Sequence, residues 1–226
     1  MDTAFIFDMD GTVIDNMEYH FKAWRRIVDE LGGKLDDQAL RKQLYGKNEE
    51  VLRRIFGDNA FSQQELEDIS ERKEEYYRAL YKDHIQLIAG LHEFLESAYQ
   101  LNIPMALGTA SYIRNIDLVL DTLNIRKYFK AIVSAGDVTK SKPDPETFLL
   151  AAKRLNMPAA NCIVFEDVPK GVEAAANAKM NTVVITTQHK AEEFDGCSNV
   201  LKIIPDYAGL EPKDLMQRLT NKRGQP

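Results

Sequence analysis

A chain of 226 residues with 44% hydrophobic and 28% charged residues has the length and balance of a globular protein of one large domain, or of one domain plus a smaller insertion. Its net charge of −6 argues against a general affinity for nucleic acid or anionic membrane, and no stretch approaches the length of an apolar span. The two cysteines, Cys162 and Cys197, lack zinc-ligand spacing, and the first residues enter a strand without a basic leader, so a cytoplasmic protein is expected.

Residues 4–7 form an apolar run of the kind that makes a strand buried on both faces, and they lead directly into Asp8, Asp10 and Gly11. A helix is expected over residues 18–31, where Phe21, Trp24, Ile27, Val28 and Leu31 fall on one apolar stripe and Gly32 and Gly33 end it. Further helices are expected over residues 37–44 and 49–56, and from Ser62, capping with Glu65, to about residue 82. From Gly90 onward the rhythm changes. Helices over 91–101, 112–123, 145–155, 171–179 and 212–219 alternate with strands over 104–108, 131–134, 161–165, 182–185 and 200–204, and residues 224–226 read as a frayed tail. The expected architecture is a Rossmann-like α/β core with a parallel sheet and helices on both faces, residues 1–14 and 85–226, plus an inserted α-helical cap, residues 15–84.

Four polar clusters each follow an apolar strand. Asp8 and Asp10 suit a carboxylate nucleophile beside an acid/base near a metal, or merely an acidic turn. Thr109, in Gly108-Thr109-Ala110-Ser111, suits a phosphoryl oxygen or a helix N-cap. Lys142, in Ser141-Lys142-Pro143, suits an anion or an ordinary solvated loop. Glu166 and Asp167 suit Mg²⁺ or the dipole of the following helix. Strands of one parallel sheet would bring all four to the same edge.

In order, these clusters resemble the four signatures of the haloacid dehalogenase superfamily, and the insertion resembles the cap of its β-phosphoglucomutase-like and sugar phosphatase members. The resemblance implies that Asp8 attacks phosphorus and that Asp10 protonates the leaving oxygen and then activates water. It implies Mg²⁺ held by Asp8, the Asp10 carbonyl and Asp167 with help from Glu166, and phosphoryl oxygens held by Thr109 and Lys142. Of the cap, His20, Trp24 and Lys73 match the mutase's substrate-side residues, and Lys47 neighbours Glu49, which stands where the mutase has an arginine for a second phosphate. Ala110 and Ser111 complete the expected substrate contacts, although Tyr112 and Ile113 replace the lysine and asparagine of the mutase pattern. The expectation is therefore a monomeric Mg²⁺-dependent phosphatase of small phosphorylated sugars, with β-phosphoglucomutase as the alternative and a catalytically silent binding module disfavoured by four intact signatures.

Overall fold

The computed structural model describes residues 3–223; the expected frayed tail, residues 224–226, lies outside them. The described residues form two compact units, one from within Met1–Asp15 and Gln86–Pro226, the other Asn16–Ile85. The first unit is built on a wholly parallel six-stranded sheet. Its strands are β1 (Ala4–Phe7), β2 (Met105–Gly108), β3 (Ala131–Val133), β4 (Cys162–Glu166), β5 (Asn181–Ile185) and β6 (Val200–Ile204), in the spatial order β3-β2-β1-β4-β5-β6. β1 is central because every one of its side chains is apolar and the sheet is covered on both sides. Ala4 and Ile6 pack with Ala106, Val164 and Phe148 on one face. On the other, Phe7 stacks on Phe165 at 4.3 Å and Phe5 on Phe94 at 5.6 Å. Burying such side chains contributes roughly 2–3 kcal/mol each, which is why four residues suffice for the strand. Cys162 is one of the small residues of this core.

The helices of this unit are α5 (Leu91–Gln100), α6 (Ile113–Thr122), α7 (Glu146–Arg154), α8 (Pro169–Asn177) and α9 (Pro212–Arg223); we number α1–α4 in the helical unit below. Four of them end in the same way, α8 through Lys179 at φ 59° and the other three through asparagine. Asn102, Asn124 and Asn156 adopt left-handed φ of 55°, 53° and 55°. The next residue then folds its N–H back onto the helix: Ile103 to Ala98 O at 3.0 Å, Ile125 to Leu120 O at 3.1 Å, Met157 to Ala152 O at 2.9 Å. Asparagine tolerates that conformation, so each Leu-Asn-apolar triplet stops a helix and turns the chain back toward the sheet. α9 runs on to Arg223, beyond the expected end at residue 219.

The second unit is helical: α1 (Met17–Glu30), α2 (Asp37–Arg41), α3 (Asn48–Phe56) and α4 (Gln63–Tyr81). Trp24, Ile27, Val51, Leu52, Leu66 and Ile69 make one cluster, and Phe21, Val28 and Leu40 another. Ser62 and Glu65 form the expected reciprocal cap of α4. α2 stops three residues early because Arg54 takes the carbonyls of Gln43 and Tyr45, which a longer helix would leave to water. No helix among the described residues is long and apolar enough to cross a membrane.

Inside this unit lies a buried charged pair. Lys73 meets Glu74 at 2.9 Å and His20 Nδ1 at 2.8 Å, and Asn48 donates to Glu74 at 2.7 Å. Lys73 is only 2% exposed, so it is not the solvated lysine that its charge-rich neighbours suggest. Burial alone would push the Glu74 carboxyl up. The Lys73 ammonium, then His20, and the hydrogen bonds from Lys73 and Asn48 outweigh that and hold it down from 4.5 to about 2. A depressed carboxyl lends stability that is complete above its unfolded value and is lost as pH falls through its folded one. The helical unit is therefore expected to lose on the order of 3 kcal/mol between about pH 4.5 and pH 2. Thermal melts followed by circular dichroism across that range check this: the decline should be largely missing in Glu74→Gln, and parallel declines would clear the pair of responsibility.

Candidate active site

The strand order reverses its direction of growth between β1 and β4, and in such sheets the carboxyl ends on either side of that point carry the ligand groups. Asp8 leaves β1 there, its N–H bonded to Phe165 O at 3.0 Å, and Glu166 and Asp167 leave β4 beside it. Asp8, Glu166 and Asp167 are buried, and Asp10 is partly so. Gly11, at φ +79°, turns the chain, and its N–H closes onto Ile14 O at 2.8 Å.

Lys142 is the centre of this cluster. It sits in the loop after β3, lies over the Phe148 ring at 4.6 Å, and donates to Asp8 Oδ1 and Glu166 Oε1 at 2.6 Å each. Burial opposes its charge, but the two carboxylates hold its pKa well above the usual lysine value. Burial likewise raises Asp8, from 3.8 to about 7: Lys142 pulls it down, and Glu166 and Asp10 push it up again. Asp167 is raised well above its ordinary value, by burial first and then by Glu166 and Asp8. The cluster holds more negative charge than one ammonium balances.

Both Glu166 oxygens are engaged: Oε1 by Lys142, Oε2 by the N–H groups of Asp167 at 2.9 Å and Val168 at 3.1 Å. It thus ties Lys142 to the turn that leads into α8. Asp167 Oδ1 accepts from Thr12 at 3.3 Å, whereas its buried Oδ2 has no hydrogen-bond partner. A Cβ at Gly11 would come within 2.0 Å of that same Oδ2. Among the described residues no three acidic, histidine or cysteine side chains already converge on one point as a metal cluster. The orphaned oxygen, the raised carboxyls and the all-oxygen donor set nevertheless fit a hard divalent cation.

Thr109 follows β2, and its Oγ1 accepts the Ser111 N–H at 3.1 Å, which leaves the threonine hydroxyl its own proton to donate. Tyr112, not Thr109 or Ser111, is the N-cap of α6. Ala110 is exposed and Ser111 buried. The Ser111 hydroxyl donates to Asp10 Oδ2, a pairing across 101 positions that sequence reasoning did not find. It missed equally the Thr12 contact to Asp167 and the Thr187 hydroxyl that donates to Gly11 O at 2.6 Å. Asp8, Asp10, Thr109, Ser111, Lys142, Glu166 and Asp167 all belong to the sheet unit. His20, Trp24, Lys47 and Lys73 belong to the helical unit, where Trp24 is a core side chain, Lys73 is paired as described and Lys47 begins α3.

A parallel sheet ordered in this way, with carboxylates at the ends of its two middle strands and a lysine held between them, defines a haloacid dehalogenase-like hydrolase. A model of that family, haloacid dehalogenase-like hydrolase, matches residues 5–185, and the chain belongs to it. The fructose-1-phosphate phosphatase of Escherichia coli is 34% identical over 180 residues, covering 79% of this chain and 93% of that protein. The β-phosphoglucomutase of Bacillus subtilis is 34% identical over 187 residues, covering 80% and 81%. The crystal structure of β-phosphoglucomutase from Clostridium difficile matches with a TM-score of 0.85 at 30% identity, covering 99% of each chain.

Proposed function

We propose that this chain is a Mg²⁺-dependent phosphatase of small phosphorylated sugars that works through an aspartyl phosphate on Asp8. The observation that carries the reading is the Lys142 ammonium bound to Asp8 and Glu166 at 2.6 Å each, which keeps a buried carboxylate in place at the end of the central strand. An oxygen of Asp8 forms a bond to phosphorus as the bond to the sugar oxygen breaks, and Asp10 gives that oxygen its proton. Asp10 then takes a proton from water, whose oxygen attacks the same phosphorus and releases phosphate and the Asp8 carboxylate. Thr109 donates through its hydroxyl, and Lys142 through its ammonium, to phosphoryl oxygens that gain charge in the transition state. Asp8, the Asp10 carbonyl and Asp167 would hold Mg²⁺, which supplies charge neutralisation for the phosphoryl group. Glu166 keeps Lys142 and the turn at Asp167 in place. We assign sugar recognition to the helical unit through His20 and Lys47; Lys73, expected as a further contact, is buried against Glu74 with Trp24 packed beside it, its ring 5.3 Å from that ammonium, and serves the core of that unit.

Hydrolysis is favoured over isomerisation by what replaces the grip on a second phosphate. Glu49 is acidic, and the exposed Ile113 follows Tyr112 where the mutase pattern has two polar residues. The test is phosphate release with Mg²⁺ across hexose and pentose monophosphates, fructose 1-phosphate among them, with β-glucose 1-phosphate followed for conversion to glucose 6-phosphate. Release from one or a few sugars without isomerisation is expected. Isomerisation stimulated by a trace of sugar bisphosphate, with little free phosphate, would replace the phosphatase by the mutase.

A further inference from the structure

We infer that Tyr207 and Thr187 are positioning residues for the cation side of the site, given the Mg²⁺ role proposed above for Asp167 and the Asp10 carbonyl: their hydroxyls hold the main chain at Gly11 and Thr12 in place beside the Asp167 carboxylate. The turn after β1 folds by its own main-chain bonds, from the N–H groups of Thr12, Val13 and Ile14 to Met9 O and from Gly11 N–H to Ile14 O. A planar trans peptide carries its N–H and C=O on opposite sides, so each of these bonds fixes one side of a plane. Two of the opposite sides are taken by hydroxyls from much later in the chain. Thr187, shortly after β5, donates to Gly11 O at 2.6 Å, and Tyr207, between β6 and α9, donates to Thr12 O at 3.0 Å. The Gly11–Thr12 peptide is thus pinned between Thr187 and Met9 O, and the Thr12–Val13 peptide between Tyr207 and Met9 O.

Those two peptides meet Asp167 at two points. The Thr12 hydroxyl donates to Asp167 Oδ1 at 3.3 Å, and Gly11 lies so near Oδ2 that a Cβ there would come within 2.0 Å of it. A small shift of this main chain therefore moves both restraints on the carboxylate at once. The Asp10 carbonyl shares its peptide plane with Gly11 N–H, so the same turn aims the second proposed ligand. Tyr207 is a rigid anchor for such a task. Its ring packs 5.7 Å from that of Phe94 and 5.9 Å from that of Phe165, its N–H is bonded to Ala89 O at 2.9 Å, and the residue is 1% exposed. A phenylalanine would make the same ring contacts. Burying the phenolic oxygen costs free energy that the bond to Thr12 O offsets, so what the hydroxyl contributes is its hold on that carbonyl. Removing a group that orients metal ligands ordinarily weakens the metal about 10–100-fold.

The test is the affinity of the full chain for Mg²⁺ alone, measured by isothermal titration calorimetry, with melting curves in chelator and KM for the best sugar phosphate of the panel at saturating Mg²⁺. Tyr207→Phe and Thr187→Val are each expected to raise the Mg²⁺ Kd about tenfold. Thr187→Ser, which keeps the hydroxyl, should bind Mg²⁺ as the wild type does. At saturating Mg²⁺ the KM should be unchanged in all three, because Thr109 and Lys142, which hold the phosphoryl group, are untouched. Tyr128→Phe controls for lost stability: its hydroxyl donates to Glu96 Oε2 at 2.7 Å, so its loss should lower the melting temperature and leave the Mg²⁺ Kd alone. A wild-type Kd in Tyr207→Phe and Thr187→Val, or an equal rise in Tyr128→Phe, overturns the positioning role. Should Tyr207→Phe fail to fold, Thr187→Val against Thr187→Ser decides in the same way. Asp167→Asn separates two failures. If it weakens Mg²⁺ while the hydroxyl variants do not, the inference about Tyr207 and Thr187 fails alone. If it leaves the Mg²⁺ Kd unchanged, or the wild type binds no Mg²⁺, the proposed cation site fails and takes the inference with it.

Discussion

Asp8→Asn is expected to abolish turnover and, in chelator at pH 8, to make the sheet unit more stable than the wild type. The first effect follows from chemistry: an amide has no nucleophilic oxygen anion, and removing a covalent nucleophile costs on the order of 10⁴-fold or more. The second follows from the neighbourhood. Even with Lys142 at 2.6 Å, burial together with Glu166 and Asp10 lifts the Asp8 carboxyl from 3.8 to about 7. For an acid the sign is as follows. Between its unfolded and folded values the native state binds more protons than the unfolded chain, so stability falls as pH rises from about 4 through about 7. At about 1.4 kcal/mol per unit, the wild type at pH 8 carries a penalty of order 4 kcal/mol that asparagine, the shape of a protonated aspartate, does not. For a domain of this size that is roughly 10 °C in Tm. The gap should close toward pH 4, where Asp8 is protonated in the folded wild type as well. Added Mg²⁺ should stabilise the wild type more than the variant, since the variant lacks one of the proposed ligands. Melting curves at pH 4, 6 and 8, with and without Mg²⁺, read all of this. An Asp8→Asn protein less stable than the wild type in chelator at pH 8 would contradict the electrostatic reading, and residual turnover would contradict the nucleophile.

How much of this was legible depends on how local the signal is. Residues 4–10 announce both strand and site because apolar residues and acids adjoin in the chain, and the parallel sheet follows from the alternation of elements after Gly90. The boundaries were less legible because they rest on hydrogen bonds to distant groups, as where Arg54 ends α2 by taking the carbonyls of Gln43 and Tyr45. Lys73 and Glu74 look solvated in a helix full of charge, and neighbours one position apart do not ordinarily face each other on a helix. Only the packing of His20 and Asn48 around them explains why they pair in the interior. Ser111 was legible as a polar residue at a strand end, but its partner lies 101 positions away.

Gly171 illustrates how such a distant demand can reverse a local one. Glycine is a poor helix former, and in the alanine-rich run of α8 a change to alanine should stabilise by about 1 kcal/mol. Gly171→Ala is instead expected to destabilise the sheet unit by roughly 2–3 kcal/mol, the cost of overpacking a buried site, and to lower turnover about 10²-fold. A Cβ there would stand 1.9 Å from Cδ and Oε1 of Glu166 and 2.3 Å from Oε2. Glu166 has nowhere to retreat: it is fully buried, and its oxygens are tied to Lys142, Asp167 and Val168. Any shift that relieves the clash therefore breaks at least one charge-assisted hydrogen bond and removes one of the two anchors of Lys142. Lys142 would then settle on Asp8 and the Gly108 carbonyl, away from the position from which it serves phosphoryl oxygen. The two contributions separate in a double-mutant cycle. With Glu166→Ala in place the clash has no partner, so adding Gly171→Ala should become neutral or stabilising, as helix propensity alone dictates. Measured by urea unfolding, a penalty that persists in the Glu166→Ala background would mean that the main chain at Gly171, and not the carboxylate of Glu166, excludes a side chain.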